Sequence, residues 1–287
     1  MSGLLIGLIP ALGWGFQSIV MQKIGGKYTN KQMGMVFGTI ILALVITIFK
    51  RPEEWTAGLI WGSLLSGVFW SFGQILQIKS FDLLGVTRAM PISTGTQLIG
   101  TVLVGILYFK EWDFQWQVII GIIALLLIIL GVTLTTFKEG KTTEGSNIKL
   151  GVIFLLFSSL GFVGYCVFPR IFSLSGWDVV LPQAIAMFIS TIVICLTQPD
   201  HKIWDKKSFQ NIGTGVCFAI ANLTILFSNE MNGVAIGFTL SQMNVVVATL
   251  GGLFILHEHK TKKELKYVLG GLLLVVAGGI LIGITKS

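Results

Sequence analysis

Ser63, Ser66, Trp70, Gln74 and Gln77 recur at intervals of three or four residues, a spacing that lays them along one face of a helix. Asn211, Thr214, Phe218, Asn222 and Asn229 form a second stripe of the same kind. Both stripes lie in stretches apolar enough to require lipid, where an amide or hydroxyl facing acyl chains is costly. They are therefore expected to face a bundle interior or a wet cavity. Amides and hydroxyls donate as well as accept hydrogen bonds, and an indole face covers the apolar C–H side of a ring. That mixture suits a neutral polyol. The competing reading is hydrogen bonding between helices with no ligand at all.

Further polar residues extend the candidate wall. Ser93, Thr96 and Gln97 fall in one apolar run and Ser241, Gln242 and Asn244 in another, while Trp14 and Gln17 lie one turn apart near the start of the chain. With Tyr165, Trp70, Gln74, Gln77 and Asn222 these complete the set expected to touch a ligand. Trp61 or Trp70 is the expected stacking surface. Trp55, Trp112 and Trp204 stand near run ends and fit interfacial anchors.

The chemistry that is missing narrows the function. No Asp, Glu, Lys, Arg or His stands in the middle of an apolar run. Hydrolysis would need a carboxylate pair, a metal cluster or an activated nucleophile at depth, so no enzymatic activity and no cofactor are expected. His201, His257 and His259 fall between runs; the HEH string at 257–259 is flanked by Lys260, Lys262 and Lys263, which repel a metal cation. The glycines carry no phosphate-loop pattern. Ionisable groups gather at the rims: Lys79, Asp82 and Arg88 near one junction, Glu230 near another. Asp82, Arg88 and Glu230 are the candidates for gating or proton coupling. Pro91 joins them, because a proline inside a membrane helix frees a carbonyl and bends the axis; a break exposing polar groups beside Ser93, Thr94 and Thr96 and a kink that serves packing alone are equal alternatives. Glu111 and Glu258 follow two runs at near-equivalent positions and are expected to fix helix ends.

These residues need apolar elements to position them. Hydrophobic residues make up 53% of the 287 positions and charged ones 11%, less than half the usual share in soluble domains. Charge-free runs cover 1–22, 32–49, 55–78, 89–109, 114–137, 150–169, 179–199, 208–229, 231–256 and 267–285, each long enough to cross a bilayer. The first has no basic flank ahead of it and is read as a retained span. An all-α integral membrane protein of ten transmembrane helices follows.

A shift of 148 positions superimposes Gly3 on Gly151, Gly67 on Gly215, Gly85 on Gly233, Ser93 on Ser241 and Thr101 on Thr249, and it carries Gln74 onto Asn222, Trp70 onto Phe218, Gln17 onto Tyr165 and Thr96 onto Asn244. The chain is thus read as two five-helix repeats, 1–137 and 150–287, joined by a linker at 138–149. Five is odd, so the second repeat is expected to cross the bilayer inverted. Of the 20 Lys and Arg residues, fifteen fall after odd-numbered runs and five elsewhere, which puts the odd junctions in the cytoplasm and both termini outside. The net charge of +7 is thereby a topology signal, and no nucleic-acid partner is expected. Cys166, Cys195 and Cys217 all fall within runs and read as packing residues.

The string GVTRAMPISTGTQLIGTVLVGILYFKEW at 85–112, with LGWG at 12–15 and the doubled five-span pattern, resembles the glucose/ribose porters, bacterial members of the drug/metabolite transporter superfamily. The resemblance covers essentially the whole chain, and RAMPISTG is its most specific part. It implies uptake of a monosaccharide, glucose or ribose, across the cell membrane through a cavity lined by spans 1, 3, 4, 6, 8 and 9, with proton symport. Arg88, Pro91, Ser93, Thr94 and Gln97 are the residues it carries over. The rival readings are an exporter of the same fold, disfavoured for charged cargo by the uncharged spans, and a membrane protein that transports nothing.

Overall fold

Each apolar run folds as a helix, because a helix satisfies its own backbone hydrogen bonds and so tolerates a solvent that offers none. The computed structural model describes residues 2–137, 139, 145–174, 176–199 and 203–285, with the backbone alone for 2 and 145–147. Its helices are α1 (Ser2–Ile24), α2 (Tyr28–Phe49), α3 (Ala57–Leu84), α4 (Val86–Leu107), α5 (Gln115–Thr135), α6 (Gly145–Ile171), α7 (Gly176–Leu196), α8 (Lys206–Gln210), α9 (Ile212–Asn232), α10 (Val234–Ser241), α11 (Asn244–Phe254) and α12 (Lys262–Ile284). Ten segments are long and apolar enough to span a membrane, with α10 and α11 counted as one and the short α8 excluded. The expected linker lies mostly outside the described residues, as do His201, Lys202 and Lys286.

The helices run past the charge-free runs at their ends, so several rim charges are helical. Lys31 sits in the first turn of α2, 3% exposed, and pairs with Asp82 near the end of α3 at 2.6 Å. A 148-residue shift brings the bounds of α1 to α5 within a few residues of α6, α7, α8–α9, α10–α11 and α12. Packing follows the same relation. α3 lies antiparallel on α6, with Ser80 Oγ donating to the Gly151 carbonyl at 2.8 Å and Ser158 Oγ to the Gly73 carbonyl at 2.7 Å. α1 lies antiparallel on α9, where Asn232 Nδ2 donates to the Gly3 carbonyl at 2.9 Å. α2 runs parallel to α9 and α7 parallel to α3.

Two glycines turn the chain between spans with no loop at all. Gly85 ends α3 and starts α4, and Gly233 does the same between α9 and α10; both have positive φ, 74° and 79°, a region that strains residues with a Cβ.

Of the two alternatives at Pro91, the break does not occur. α4 is continuous through Pro91, and the interruption falls in its partner span, at Gln242–Met243. There Met243 N–H donates to Leu240 O and Val245 N–H to Gln242 O, three residues back rather than four, so the helix tightens for one turn. Two tryptophan assignments also change. Trp112 is 7% exposed, its ring filling the space that a side chain at Gly121 would need, and so it is no interfacial anchor. Trp61 is 57% exposed and faces away from the bundle, which removes it as a stacking surface.

Candidate functional site

A narrow cavity opens between the two halves, walled by α1, α3, α4, α6, α9 and the α10–α11 span. α1 contributes Trp14, Gln17 and Ser18; α3 contributes Trp70, Gln74, Gln77 and Phe81; α4 contributes Met90, Thr94 and Gln97. Phe162 and Tyr165 come from α6, Phe218 from α9, and Phe238, Gln242 and Asn244 from the interrupted span. The wall carries no Asp, Glu, Lys, Arg or His.

Aromatic rings form one side. Trp70 is fully buried with its ring 4.6 Å from that of Phe218, and Trp14 stacks on the same phenyl at 6.5 Å and 22°. Amides cluster elsewhere on the wall. Gln77 Nε2 and Gln97 Nε2 both donate to Ser93 Oγ, at 2.8 and 2.6 Å, and Gln242 Nε2 lies 3.5 Å from Gln97 Oε1.

Five buried polar atoms on this wall make no hydrogen bond among the described residues: the Nε1 donors of Trp14 and Trp70, Nε2 of Gln74, and the acceptors Gln17 Oε1 and Asn244 Oδ1. Buried polar groups are paired in the great majority of cases, and five of the fourteen unpaired buried side-chain atoms among the described residues belong to this one wall. Three donate and two accept, the two functions that a hydroxyl combines.

A hydrogen-bonded ring that takes in Tyr165 of the wall ties four helices of both halves together. Tyr165 Oη donates to Asn222 Oδ1, Asn222 Nδ2 donates to Gln183 Oε1 at 2.7 Å, Gln183 Nε2 donates to Ser66 Oγ at 2.6 Å, and Ser66 Oγ returns to the Tyr165 carbonyl at 2.7 Å. The positions equivalent under the 148-residue shift are Gln17, Gln74, Met35 and Thr214, and there the ring is open. Gln17 Nε2 reaches only the Met35 thioether at 3.1 Å, and Thr214 Oγ1 turns to the Asn211 carbonyl of its own chain segment at 2.6 Å.

Nine of the thirteen residues expected to touch a ligand are on the wall: Trp14, Gln17, Trp70, Gln74, Gln77, Gln97, Tyr165, Gln242 and Asn244. Ser93 stands behind it, accepting from two amides and so orienting them. Asn222 is consumed by the closed ring. Thr96 turns to α6, sharing a 2.6 Å hydrogen bond with Ser159, and Ser241 donates to the Phe238 carbonyl within its own span. Phe81, Met90, Phe162 and Phe238 were not singled out in the sequence, since an apolar side chain in an apolar run carries no signal.

The gating candidates lie away from the cavity. Asp82 is held by Lys31, whose ammonium also donates to Gln22 Oε1 at 2.9 Å. Arg88 is half-buried in the first turn of α4 and Pro91 is buried within that helix. Glu230 is exposed, not partly desolvated, and borders a second pocket with Arg170, Ser173 and Asn229. Glu111 and Glu258 do fix helix ends, but each fixes a helix of the other half. Glu111 accepts from Val234 N and Ala235 N, both at 2.7 Å; Glu258 accepts from Val86 N at 2.8 Å and Thr87 N at 3.0 Å.

The sequence profile of a family described as "Sugar transport protein" matches residues 5–285. A protein of Listeria monocytogenes named for sugar uptake is 46% identical over 285 residues, 99% of each chain. The glucose uptake protein GlcU of Bacillus subtilis is 40% identical over 287 residues, again with 99% of each chain covered. A solved crystal structure sharing 16% sequence identity superimposes with a TM-score of 0.68 over 100% of this chain and 99% of its own, a likeness of fold alone.

Proposed function

The chain belongs to the sugar transport protein family, and from that premise we propose that it takes up a monosaccharide, glucose first and ribose second, by alternating access through the cavity between its halves. It is a multi-pass plasma-membrane protein. Glucose leads because it is the sugar in the name of the B. subtilis relative.

The observation that carries the reading is the set of five unpartnered polar atoms on Trp14, Gln17, Trp70, Gln74 and Asn244. A pyranose presents hydroxyls around its edge and C–H bonds on its faces. The hydroxyls would satisfy the free donors and acceptors, and the indoles of Trp14 and Trp70 would line the C–H side. With no ionisable group other than the Tyr165 phenol on the wall, a charged cargo would have nothing to pair with, whereas a neutral one needs nothing. Gln77 and Gln97, held by Ser93, complete the amide side.

Alternating access would follow from rocking the two repeats about this cavity. Proton coupling is assigned to Asp82, whose half-exposed carboxylate is the ion-pair partner of buried Lys31, since loss of that charge would leave the ammonium only Gln22 Oε1 and loosen the α2–α3 contact. Glu230 makes no ion pair among the described residues and so has no such leverage.

Purified protein in liposomes should take up labelled glucose or ribose with saturation. Absence of saturable uptake of either would refute the reading. In the same vesicles an imposed pH gradient should drive accumulation, and Asp82→Asn should abolish that drive while leaving counterflow exchange; indifference to the gradient would remove the coupling step alone.

A further inference from the structure

Resting on the sugar reading, we infer that Met35 is a positioning residue that decides which of two equivalent polar quartets is available to the substrate. The quartet Tyr165, Asn222, Gln183 and Ser66 closes on itself, and every amide group used in it finds a partner in the protein. The quartet Gln17, Gln74, Met35 and Thr214 stands at the shifted positions on the corresponding helices, yet leaves Gln17 Oε1 and Gln74 Nε2 unpartnered on the cavity wall.

The difference between them centres on one position. Gln183 supplies the acceptor that Asn222 Nδ2 uses and the donor that Ser66 receives. Met35 stands at the equivalent place, fully buried, with a thioether that donates nothing and accepts weakly. Gln74 Nε2, the counterpart of Asn222 Nδ2, is thereby left without an acceptor. The Gln17 amide, the counterpart of the Tyr165 hydroxyl, is drawn to the sulfur at 3.1 Å and makes no bond to Gln74. Methionine and glutamine have nearly the same length and shape, so at this position the two quartets differ in chemistry and not in space. Met35 itself is off the wall and acts only through Gln17 and Gln74.

The test is Met35→Gln, with Met35→Leu as its control. Glutamine at 35 would accept from Gln74 and donate to Thr214, releasing Gln17 to bond Gln74; leucine fills the space and leaves both amides free. Glucose titrations of the purified protein read by tryptophan fluorescence, with Trp14 and Trp70 as reporters, should show Met35→Gln binding roughly tenfold or more weakly and Met35→Leu within about twofold of the parent. Without sugar, Met35→Gln should melt higher than the parent and Met35→Leu should not. Equal glucose affinity in parent and Met35→Gln overturns the inference. So does an equal loss in both variants, which would mark Met35 as packing only, and so does a Met35→Gln melting temperature no higher than the parent's. A parent that binds no monosaccharide refutes the sugar reading instead, and the sugar-free melts still decide whether the quartet closes.

Discussion

Glu111 and Glu258 hold opposite ends of one antiparallel helix pair. Glu111 follows α4 and grips the first turn of α10; Glu258 follows α11 and grips the first turn of α4. Each carboxylate accepts two backbone N–H groups that a helix start leaves without partners, and the positive end of the helix dipole adds to the attraction. Gly85 and Gly233 make the approach feasible, since a Cβ at either would lie about 3 Å from the carboxylate. The two contacts stand at the two faces of the bundle: the α3–α4 junction shares its face with the Lys207–Ile24 and Lys79–Gln198 contacts, the α9–α10 junction with Asn232–Gly3.

Loosening one contact should therefore open one mouth. Glu258→Gln and Glu111→Gln each keep the size of the side chain and lose the charge, and each is expected to weaken its closure by about 1.5 kcal/mol, roughly a tenfold change in the open population. With Cys166, Cys195 and Cys217 replaced and a single cysteine placed at Thr94 on the cavity wall, a membrane-impermeant thiol reagent reports the opening. Glu258→Gln should raise labelling from the face of the α3–α4 junction and Glu111→Gln from the other. Labelling that rises equally from both faces in either variant would show that the carboxylates are not separate closures.

Gln74→Ala and Gln17→Ala remove the two amides that the open quartet presents. Each should lower glucose kcat/KM by roughly tenfold, chiefly through KM, because the lost hydrogen bond is made to bound substrate. Uptake kinetics in liposomes check this. An unchanged KM in both would move the binding site elsewhere.

The ten spans were legible because lipid imposes a length and a composition. Gln74 and Gln77 stood out for a similar reason, as amides in apolar surroundings. What the sequence withheld was partner choice. Asn222 has the same credentials as Gln74, and only the arrival of Gln183 from α7 and Tyr165 from α6 turns it into structure. Ser93 likewise reads as a ligand group until two glutamines close on it. Pro91 left a break and a packing kink equally open: it sits five residues into α4, where the helix continues, while the unmarked Gln242–Met243 step carries the irregular turn.

The closed ring predicts a graded loss of stability. Tyr165→Phe leaves one acceptor, Asn222 Oδ1, without its donor, whereas Asn222→Ala strands both the Tyr165 hydroxyl and Gln183 Oε1. Hydrogen bonds between membrane helices contribute about 0.6 kcal/mol on average and up to about 1.7. Asn222→Ala should accordingly cost about 1–2 kcal/mol and Tyr165→Phe about half as much, read as melting temperature in detergent. Equal melting of both variants and the parent would mean the ring holds nothing together.

α2 and α9 approach so closely that backbone meets backbone. A Cβ on Gly215 would collide with the Met35 carbonyl, and one on Gly38 with the Ile212 carbonyl. Neither obstacle is a side-chain tip that can swing aside, so the helices themselves would have to separate. Gly38→Ala and Gly215→Ala are each expected to destabilise by about 1–3 kcal/mol. Gly270 in α12 has nothing within 4 Å of the same construction, so Gly270→Ala should melt at or slightly above the parent temperature. The contrast also bears on the site. Met35 precedes Gly38 by one helical turn, and its carbonyl accepts the Thr39 hydroxyl at 2.8 Å, so a shift of α2 would carry Met35 away from Gln17. Gly215→Ala should thus cost stability yet keep glucose affinity within about the twofold expected of Met35→Leu, while Gly270→Ala lowers neither.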